Sequence, residues 1–392
     1  MRIGVGTTTR FHMVDLAREL RRLGEDTRLF TALPRWKVDA ELRDRAHVHS
    51  SRLLLWRVAG RVPVLRNTNY WETETFREFG RWFARMAERE QLDVVDCLDG
   101  LGLEAGPLVQ RRGGVWICNR GSSHVLTQRQ ILTEEHARWG QPMPRSYFDP
   151  RLVERCLAEY AGATAIVVPS HFAKRSFLSH GFDPERVYVC PYGVDLTMFQ
   201  PQPRQDQKFR ALFVGAQSIQ KGIGYLFDAA RPLVESGAME LWLVGGPTSD
   251  GQPILDRNAG LFTHHGVQPR SELSRFYSQA SVLVVPSVQE GLALVQAQAM
   301  ACGTPVIATE NTGAEDLFTD GVEGFIVPPR DPNAIRVRLQ LLLDDPQLRQ
   351  AMGAAALERV RQLGGWERYG KACRSVYQRA LQGARPSFAH AN

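Results

Sequence analysis

Val282-Leu283-Val284-Val285-Pro286-Ser287-Val288-Gln289-Glu290-Gly291-Leu292-Ala293-Leu294-Val295-Gln296-Ala297-Gln298-Ala299-Met300-Ala301-Cys302-Gly303-Thr304-Pro305 is the stretch on which the fold of this chain turns. An apolar, mostly β-branched run from Val282 to Val285 predicts a strand, and Pro286 ends it. An acid and a glycine, Glu290 and Gly291, form a loop, and a small-residue helix follows until Gly303 and Pro305 stop it. The first N–H groups of such a helix, from Leu292 to Val295, have no carbonyl one turn back and favour an anion in the crevice they face. A diphosphate suits that position. Glu290 beside it is an acceptor-only carboxylate, suited to the hydroxyls of a sugar.

Outward from this stretch the same alternation repeats. Towards the N-terminus, Arg2 to Val5 reads as a strand and Met13, Leu16, Ala17, Leu20 and Leu23 form one helix face closed by Gly24. Strands follow at Thr27 to Phe30, Asp93 to Cys97, Val115 to Cys118, Ala165 to Val168 and Val187 to Cys190, with a helix from Tyr70 to Gln91. Pro201 to Gln207 is polar and rich in proline and glutamine, which suits a linker. A second series begins beyond it: Ala211 to Val214, Leu241 to Val244, Leu261 to Thr263, Ser281 to Val285, Pro305 to Ile307 and Gly324 to Val327. The expectation is an α/β chain of two Rossmann-like, doubly wound parallel-sheet domains, residues 1–198 and 208–367, with ligands outside the carboxyl ends of the strands. Pro386 to Asn392 reads as a frayed end.

The signature around Glu290 closely resembles that of the retaining GT-B glycosyltransferases of family 4, glycosyl transferases group 1. There a Glu, seven spacer residues and a second Glu precede a sequence like A-M-A-C-G-x-P-V-I-A. Here Glu290 holds the first place and Gln298 the second. Phe213-Val214-Gly215-Ala216-Gln217-Ser218-Ile219-Gln220-Lys221-Gly222 resembles the family's F-V-G-R-x-x-x-E-K-G, with Lys221 kept, Ala216 in place of Arg and Gln220 in place of Glu. Pro191-Tyr192-Gly193-Val194-Asp195 with Phe199 matches the family's N-G-V-D-x-x-x-F turn, Tyr192 replacing Asn.

The resemblance implies two domains facing a cleft and a terminal helix, about 368–381, packed back on the first. It implies a retaining transfer from a nucleotide-sugar, a UDP- or GDP-sugar, in which the departing phosphate takes the acceptor's proton. Glu290 would orient sugar hydroxyls, while Lys221 and the Gly291, Leu292, Ala293 and Leu294 segment would hold the diphosphate. Gln298 would touch the ribose, the segment with Val267 and Gln268 the base, and Ala216 and Gly6 stand at further donor contacts. The loop Asn119 to His124 makes His124 a catalytic candidate, and Thr7, Thr8, Arg120 and Ser123 acceptor-side candidates. The polar and aromatic run 126–148 reads as an acceptor-binding insertion. Gly4 and Gly6 begin a G-x-G-x-x-G pattern that Thr9 breaks, so a dinucleotide site is not supported.

Composition bounds the alternatives. A net charge of +6 suits an anionic ligand or surface, but no helix-turn-helix, zinc-finger or RNP-like pattern supports nucleic acid. Six scattered cysteines form no C-x-x-C pair, and no D-x-D motif occurs, so no metal site is expected. No apolar run reaches the roughly 18 residues of a membrane span, and the N-terminus lacks a signal peptide's apolar core, so a cytoplasmic protein is expected. Residues 51–66 carry Arg52, Trp56, Arg57, Arg61 and Arg66 without an acid and read either as a peripheral membrane contact or as a half-buried strand and loop with a solvated basic edge. The losses at Ala216, Gln220 and Gln298 keep open a second class, a catalytically degraded binding or scaffold subunit. A same-fold epimerase has no supporting motif.

Overall fold

The computed structural model describes residues 1–49, 68–144 and 148–384. The basic segment with Arg52, Trp56, Arg57, Arg61 and Arg66 and the end from Pro386 lie outside the described residues. The first half runs β1 (Arg2–Thr7), α1 (His12–Arg22), β2 (Asp26–Thr31), β3 (Ala46–Val48), α2 (Thr68–Arg89), β4 (Val94–Leu98), α3 (Gly106–Gln110) and β5 (Val115–Asn119). It continues with α4 (Val125–Arg138), α5 (Pro150–Gly162), β6 (Ala165–Val168), α6 (His171–Leu178) and β7 (Val187–Val189). The second half begins β8 (Arg210–Val214), α7 (Ile223–Glu235), β9 (Glu240–Val244), α8 (Gln252–Arg257), β10 (Thr263–His264), α9 (Leu273–Gln279) and β11 (Val282–Val285). It ends with α10 (Leu294–Ala301), β12 (Val306–Thr309), β13 (Gly324–Val327), α11 (Pro332–Asp344), α12 (Pro346–Leu363) and α13 (Trp366–Ala384).

Two parallel sheets result, in the order β3-β2-β1-β4-β5-β6-β7 and β10-β9-β8-β11-β12-β13. The inner strands are buried on both faces, which is why they read as unbroken apolar runs rather than alternations. Strand order reverses direction beside β1 and β4 in the first sheet and beside β8 and β11 in the second, so the loops after these four strands are the ones placed to bind a ligand. This is the two-domain α/β architecture the alternation predicts. The additions are at the edges: β3 is a three-residue strand with no periodic signal, and β10 lies slightly beyond its expected place.

Helix α13 leaves the second domain and lies on the first. Tyr377 donates to the buried Asp96 at 2.5 Å, and Arg374 pairs with Glu25 at 2.6 Å. One apolar cluster runs from Ile3, Leu16 and Leu20 through Val194 and Phe199 to Tyr277, Trp366 and Tyr369, so the two halves share core at their junction. Among the described residues no helix is long and apolar enough to cross a membrane.

Candidate active site

Strand β11 ends at Pro286, and the loop to α10 is held from three sides. Val288 donates its amide to Gln220 O at 2.9 Å, Glu290 to Asn311 O at 2.9 Å and Ala293 to Thr312 O at 3.1 Å. The Ala293 amide is therefore engaged within the protein, and Leu294 and Val295 are the amides that open α10. Gln289 is fully buried and bridges the domains: its Nε2 donates to Ser122 Oγ at 2.7 Å and Ser123 Oγ at 3.0 Å. Gly291 passes so close to the first domain that a Cβ there would lie 2.1 Å from Gly121 O. Ser170 Oγ donates to Gly291 O at 2.6 Å from the same side. Glu290 is thus presented where the two domains touch.

Lys221 reaches Glu290 from the loop after β8, its Nζ bonded to Oε1. That loop turns into α7 through Gly222, whose φ of +69° is left-handed and whose missing Cβ leaves room for Pro286 O. Gln220 braces the arrangement by donating to Gln289 O at 3.1 Å and Gln289 Oε1 at 3.2 Å. A partly exposed cation and a largely buried carboxylate therefore meet beside a helix start. Such a pair can hold an anion and a hydroxyl at adjacent positions.

The cleft between the domains contains a cavity of about 670 Å³. Arg10, Phe11, His12, Asp15 and Arg18 line it from the first domain, and Arg270, Leu294 and Gln298 from the second. Lys221 and Glu290 are not in its lining, but Leu294 opens the helix that follows Glu290. Gln298 Oε1 accepts from Tyr277 Oη at 2.8 Å, which turns one end of the amide inward and leaves its N–H groups for the cavity. His12 is buried, stacks on Tyr192 with centroids 4.5 Å apart and bonds Asn119 Oδ1 through Nε2 at 2.8 Å. Because Asn119 Nδ2 faces Asp96 Oδ2 and Tyr369 Oη, its Oδ1 faces His12, and the imidazole is the donor through Nε2. Burial pushes His12 down to about 4, so this ring is neutral near pH 7.

Other sequence candidates are placed elsewhere. His124 caps α4, its Nδ1 accepting from Leu126 N at 3.3 Å, and its ring is packed among Tyr160, Phe177, His180 and Phe182 inside the first domain. Burial, with His180 and Arg120 nearby, pushes His124 down to about 3. His12 is the imidazole that lines the cleft, and nothing in the spacing of the chain singled it out. Arg120 is buried and spends its guanidinium on Asp99 at 2.5 Å, Gln128 at 2.5 Å and Ser123 O at 2.9 Å. Gly6 sits inside β1 against Phe83 and Cys97, Thr7 Oγ1 donates to Thr9 O, and Thr8 is half-buried in the loop that follows. Val267 is 79% exposed, Gln268 donates to His265 O at 2.5 Å, and Ala216 is exposed after β8. The run expected to form an acceptor-binding insertion contains α4, whose far end is docked on the second domain: Glu135 pairs with Arg330 at 2.6 Å and accepts from Tyr225 Oη at 2.5 Å.

The family described as Glycosyltransferase Family 4 matches residues 10–198, and Glycosyl transferases group 1 matches residues 195–359. A D-inositol 3-phosphate glycosyltransferase from Kineococcus radiotolerans is 30% identical, covering 76% of this chain and 74% of its own. D-inositol 3-phosphate glycosyltransferase 1 from Catenulispora acidiphila is 28% identical over 95% of this chain and 91% of its own. Among solved structures, sucrose-phosphate synthase from Thermosynechococcus elongatus superposes with a TM-score of 0.74 at 22% identity, covering 97% of this chain and 99% of that one. The Anabaena protein HepE in complex with UDP-glucose gives 0.69 at 16% identity, covering 96% and 99%.

Proposed function

We propose, from the premise that this chain belongs to the group 1, family 4 glycosyltransferases and has their GT-B fold, that it moves a sugar from a UDP-sugar to an acceptor hydroxyl, with retention and without a metal ion. The Lys221 and Glu290 pair beside the start of α10 carries this reading. In the reaction the bond from the anomeric carbon to the diphosphate breaks, and the acceptor oxygen bonds to the same face. The acceptor's proton passes to the departing phosphate oxygen, so no side-chain base is required.

Negative charge grows on the diphosphate as the bond breaks, and a cation already in place lowers that barrier. Lys221 fills this role with the Leu292 and Leu294 amides, and Arg270, lining the cleft beside Gln298, supplies a second cation where the family pattern has one at the place of Ala216. Glu290 orients sugar hydroxyls, Gln298 contacts the ribose through its N–H groups, and the exposed segment at Val267 and Gln268 meets the base. His12 donates nothing to the cleft through Nε2, which Asn119 occupies, and acts as a neutral wall beside the reacting sugar.

The relatives' name makes D-inositol 3-phosphate one acceptor to test. The experiment measures UDP release and product formation from a panel of UDP-sugars, with the product's anomeric coupling read by NMR. Activity should persist in a chelator, and the donor's anomeric configuration should be kept. Lys221→Ala removes a charge-assisted contact of about 1.5 to 3 kcal/mol, so kcat should fall about 10- to 100-fold. Full activity in Lys221→Ala, an inverted product or loss of activity in chelator would each refute its part of the reading.

A further inference from the structure

Lys221 stands in the turn between β8 and α7, and the backbone on its two sides is held by different parts of the molecule. Within the turn, Lys221 N donates to Ser218 Oγ at 3.1 Å and Gly222 N to Ile219 O at 2.9 Å. Upstream, Gln217 O accepts from Thr248 N at 3.1 Å and from Thr248 Oγ1 at 2.9 Å, and Ile219 N donates to the buried Asp250 Oδ2 at 3.0 Å. The turn is thus joined to the loop that follows β9. Downstream, Gly222 opens α7, whose first residues are Ile223, Gly224 and Tyr225.

The end of α4, in the first domain, reaches both sides of this turn. His136 is buried with its Nε2 4.0 Å from Asp250 Oδ2, the oxygen that holds Ile219 N. Three residues on, Trp139 lies over Gly224: a Cβ there would come 2.1 Å from Trp139 Cη2, so the glycine is what lets the indole reach the first turn of α7. Trp139 packs on the second domain's apolar cluster, to which Ile223 belongs. Its Nε1 donates to Glu135 Oε1 at 2.9 Å, and Tyr225 Oη donates to the same oxygen at 2.5 Å, so α4 and α7 share one carboxylate. None of Glu135, His136, Trp139, Tyr225 and Asp250 lines the cavity of the cleft, and their route to the reaction is the turn they hold.

We propose that the end of α4 positions Lys221, through Trp139 on α7 and His136 beside Asp250, so that docking of the first domain sets the ammonium against Glu290. The duty of Lys221 toward the diphosphate rests on the transferase reading above, whereas the hold on its side chain does not.

The test uses the full chain with isotope-labelled methyl groups on its lysines, in which NMR assigns the Lys221 signal by its loss in Lys221→Ala, together with UDP release from a UDP-sugar. Trp139 is half-buried at the end of its helix, so Trp139→Ala opens no sealed core. Gly224→Ala works from the other side, setting a Cβ against the indole at a helical position that otherwise favours Ala. His136→Ala removes the upstream contact, and Trp139→Phe keeps a ring on Gly224. The three disruptive variants should move the Lys221 signal toward that of an exposed lysine. They should also lower kcat about tenfold, as for residues coupled through a shared backbone shift, with less than about twofold further loss in a Lys221→Ala background. Trp139→Phe should recover most of the rate. A Lys221 signal that none of the variants moves overturns the proposal, as does a loss of the same size with and without Lys221. A moved signal in a protein whose Lys221→Ala variant releases UDP as fast as the parent would instead refute the part given to Lys221 in transfer and leave the positioning supported.

Discussion

Arg330→Ala should loosen the contact between the domains without touching the cleft. Glu135 on α4 is fully buried and accepts from Arg330 Nε at 2.6 Å, Tyr225 Oη at 2.5 Å and Trp139 Nε1 at 2.9 Å. Arg330 and Tyr225 belong to the second domain and Glu135 and Trp139 to the first, so the carboxylate joins the two. Removing one partner of a buried ion pair costs about 3 to 5 kcal/mol. Arg330 is a quarter exposed, and Tyr225 and Trp139 continue to satisfy Glu135 after its loss. The cost should therefore lie within about 1.5 to 3 kcal/mol, the range of a hydrogen bond to a charged group, or roughly 10- to 150-fold in the docking equilibrium. Arg330 also has a left-handed backbone, φ +66°, which Ala keeps and Gly relieves. Arg330→Gly should thus be milder than Arg330→Ala by up to about 1 kcal/mol. Hydrogen exchange followed by mass spectrometry would read the effect as faster exchange in residues 131–139, with the first domain's central strands unchanged. Exchange in that segment equal to the parent protein would refute the role assigned to the ion pair, and a uniform rise across the chain would show that the cost is global.

Gln298→Glu keeps an acceptor for Tyr277 Oη and offers the ribose a charged oxygen, so UDP affinity by calorimetry should rise up to about tenfold, since bonds to charged groups are stronger by about 1 kcal/mol; unchanged affinity would show that Gln298 does not contact the nucleotide. Gln220→Glu restores the family's residue, yet it sets a carboxylate against Gln289 O where an N–H now donates, so stability should fall by about 1 to 3 kcal/mol and transfer with it; equal or better activity would refute the bracing role. Burial pushes Asp96 up to about 7 against its bonds from Tyr377 and Asn119, while the unfolded chain has the ordinary value of 3.8. Between these values the folded chain holds a proton that the unfolded chain has lost, so stability should fall as pH rises from about 4 to 7 and level off above. Denaturant midpoints of the parent and Asp96→Asn at pH 4.5 and 7.5 check this, and the variant should lose that part of the slope.

The fold was legible because the decisive signals are local. Unbroken runs such as Val282 to Val285 mark strands buried on both faces, and Pro286, Gly303 and Pro305 punctuate them within a few residues. Glu290 and Lys221, expected at one site, are paired in the structure, each from a short loop at a strand end. His124 misled because its neighbours Ser122 and Ser123 do face the second domain, whereas its own surroundings come from Tyr160, Phe177, His180 and Phe182, which no local spacing reveals. Helix α4 looked like a ligand-binding insertion because it has no single apolar stripe. Val125 and Leu126 face its own domain, while Glu135 and Trp139 face the other. A helix held on two sides loses the periodicity that a one-sided helix displays.

The departures at Ala216, Gln220 and Gln298 look like decay when each is compared alone with the family pattern, and the geometry changes their meaning. One cation is lost against two carboxylates, so the net charge of these three positions moves by one toward the positive. Gln220 also does what a glutamate cannot, and Gln289 beside it extends the line. Gln220 donates to Gln289, and Gln289 donates to Ser122 and Ser123, so a relay of amide N–H groups runs from the loop after β8 to the first domain. A carboxylate has no hydrogen to pass along such a line. With the loop held by neutral donors, Glu290 is left as the carboxylate of this stretch, paired with Lys221 and placed where the domains meet. The missing charges therefore go with a loop held by amides, Gln220 and Gln289, rather than by further charged groups.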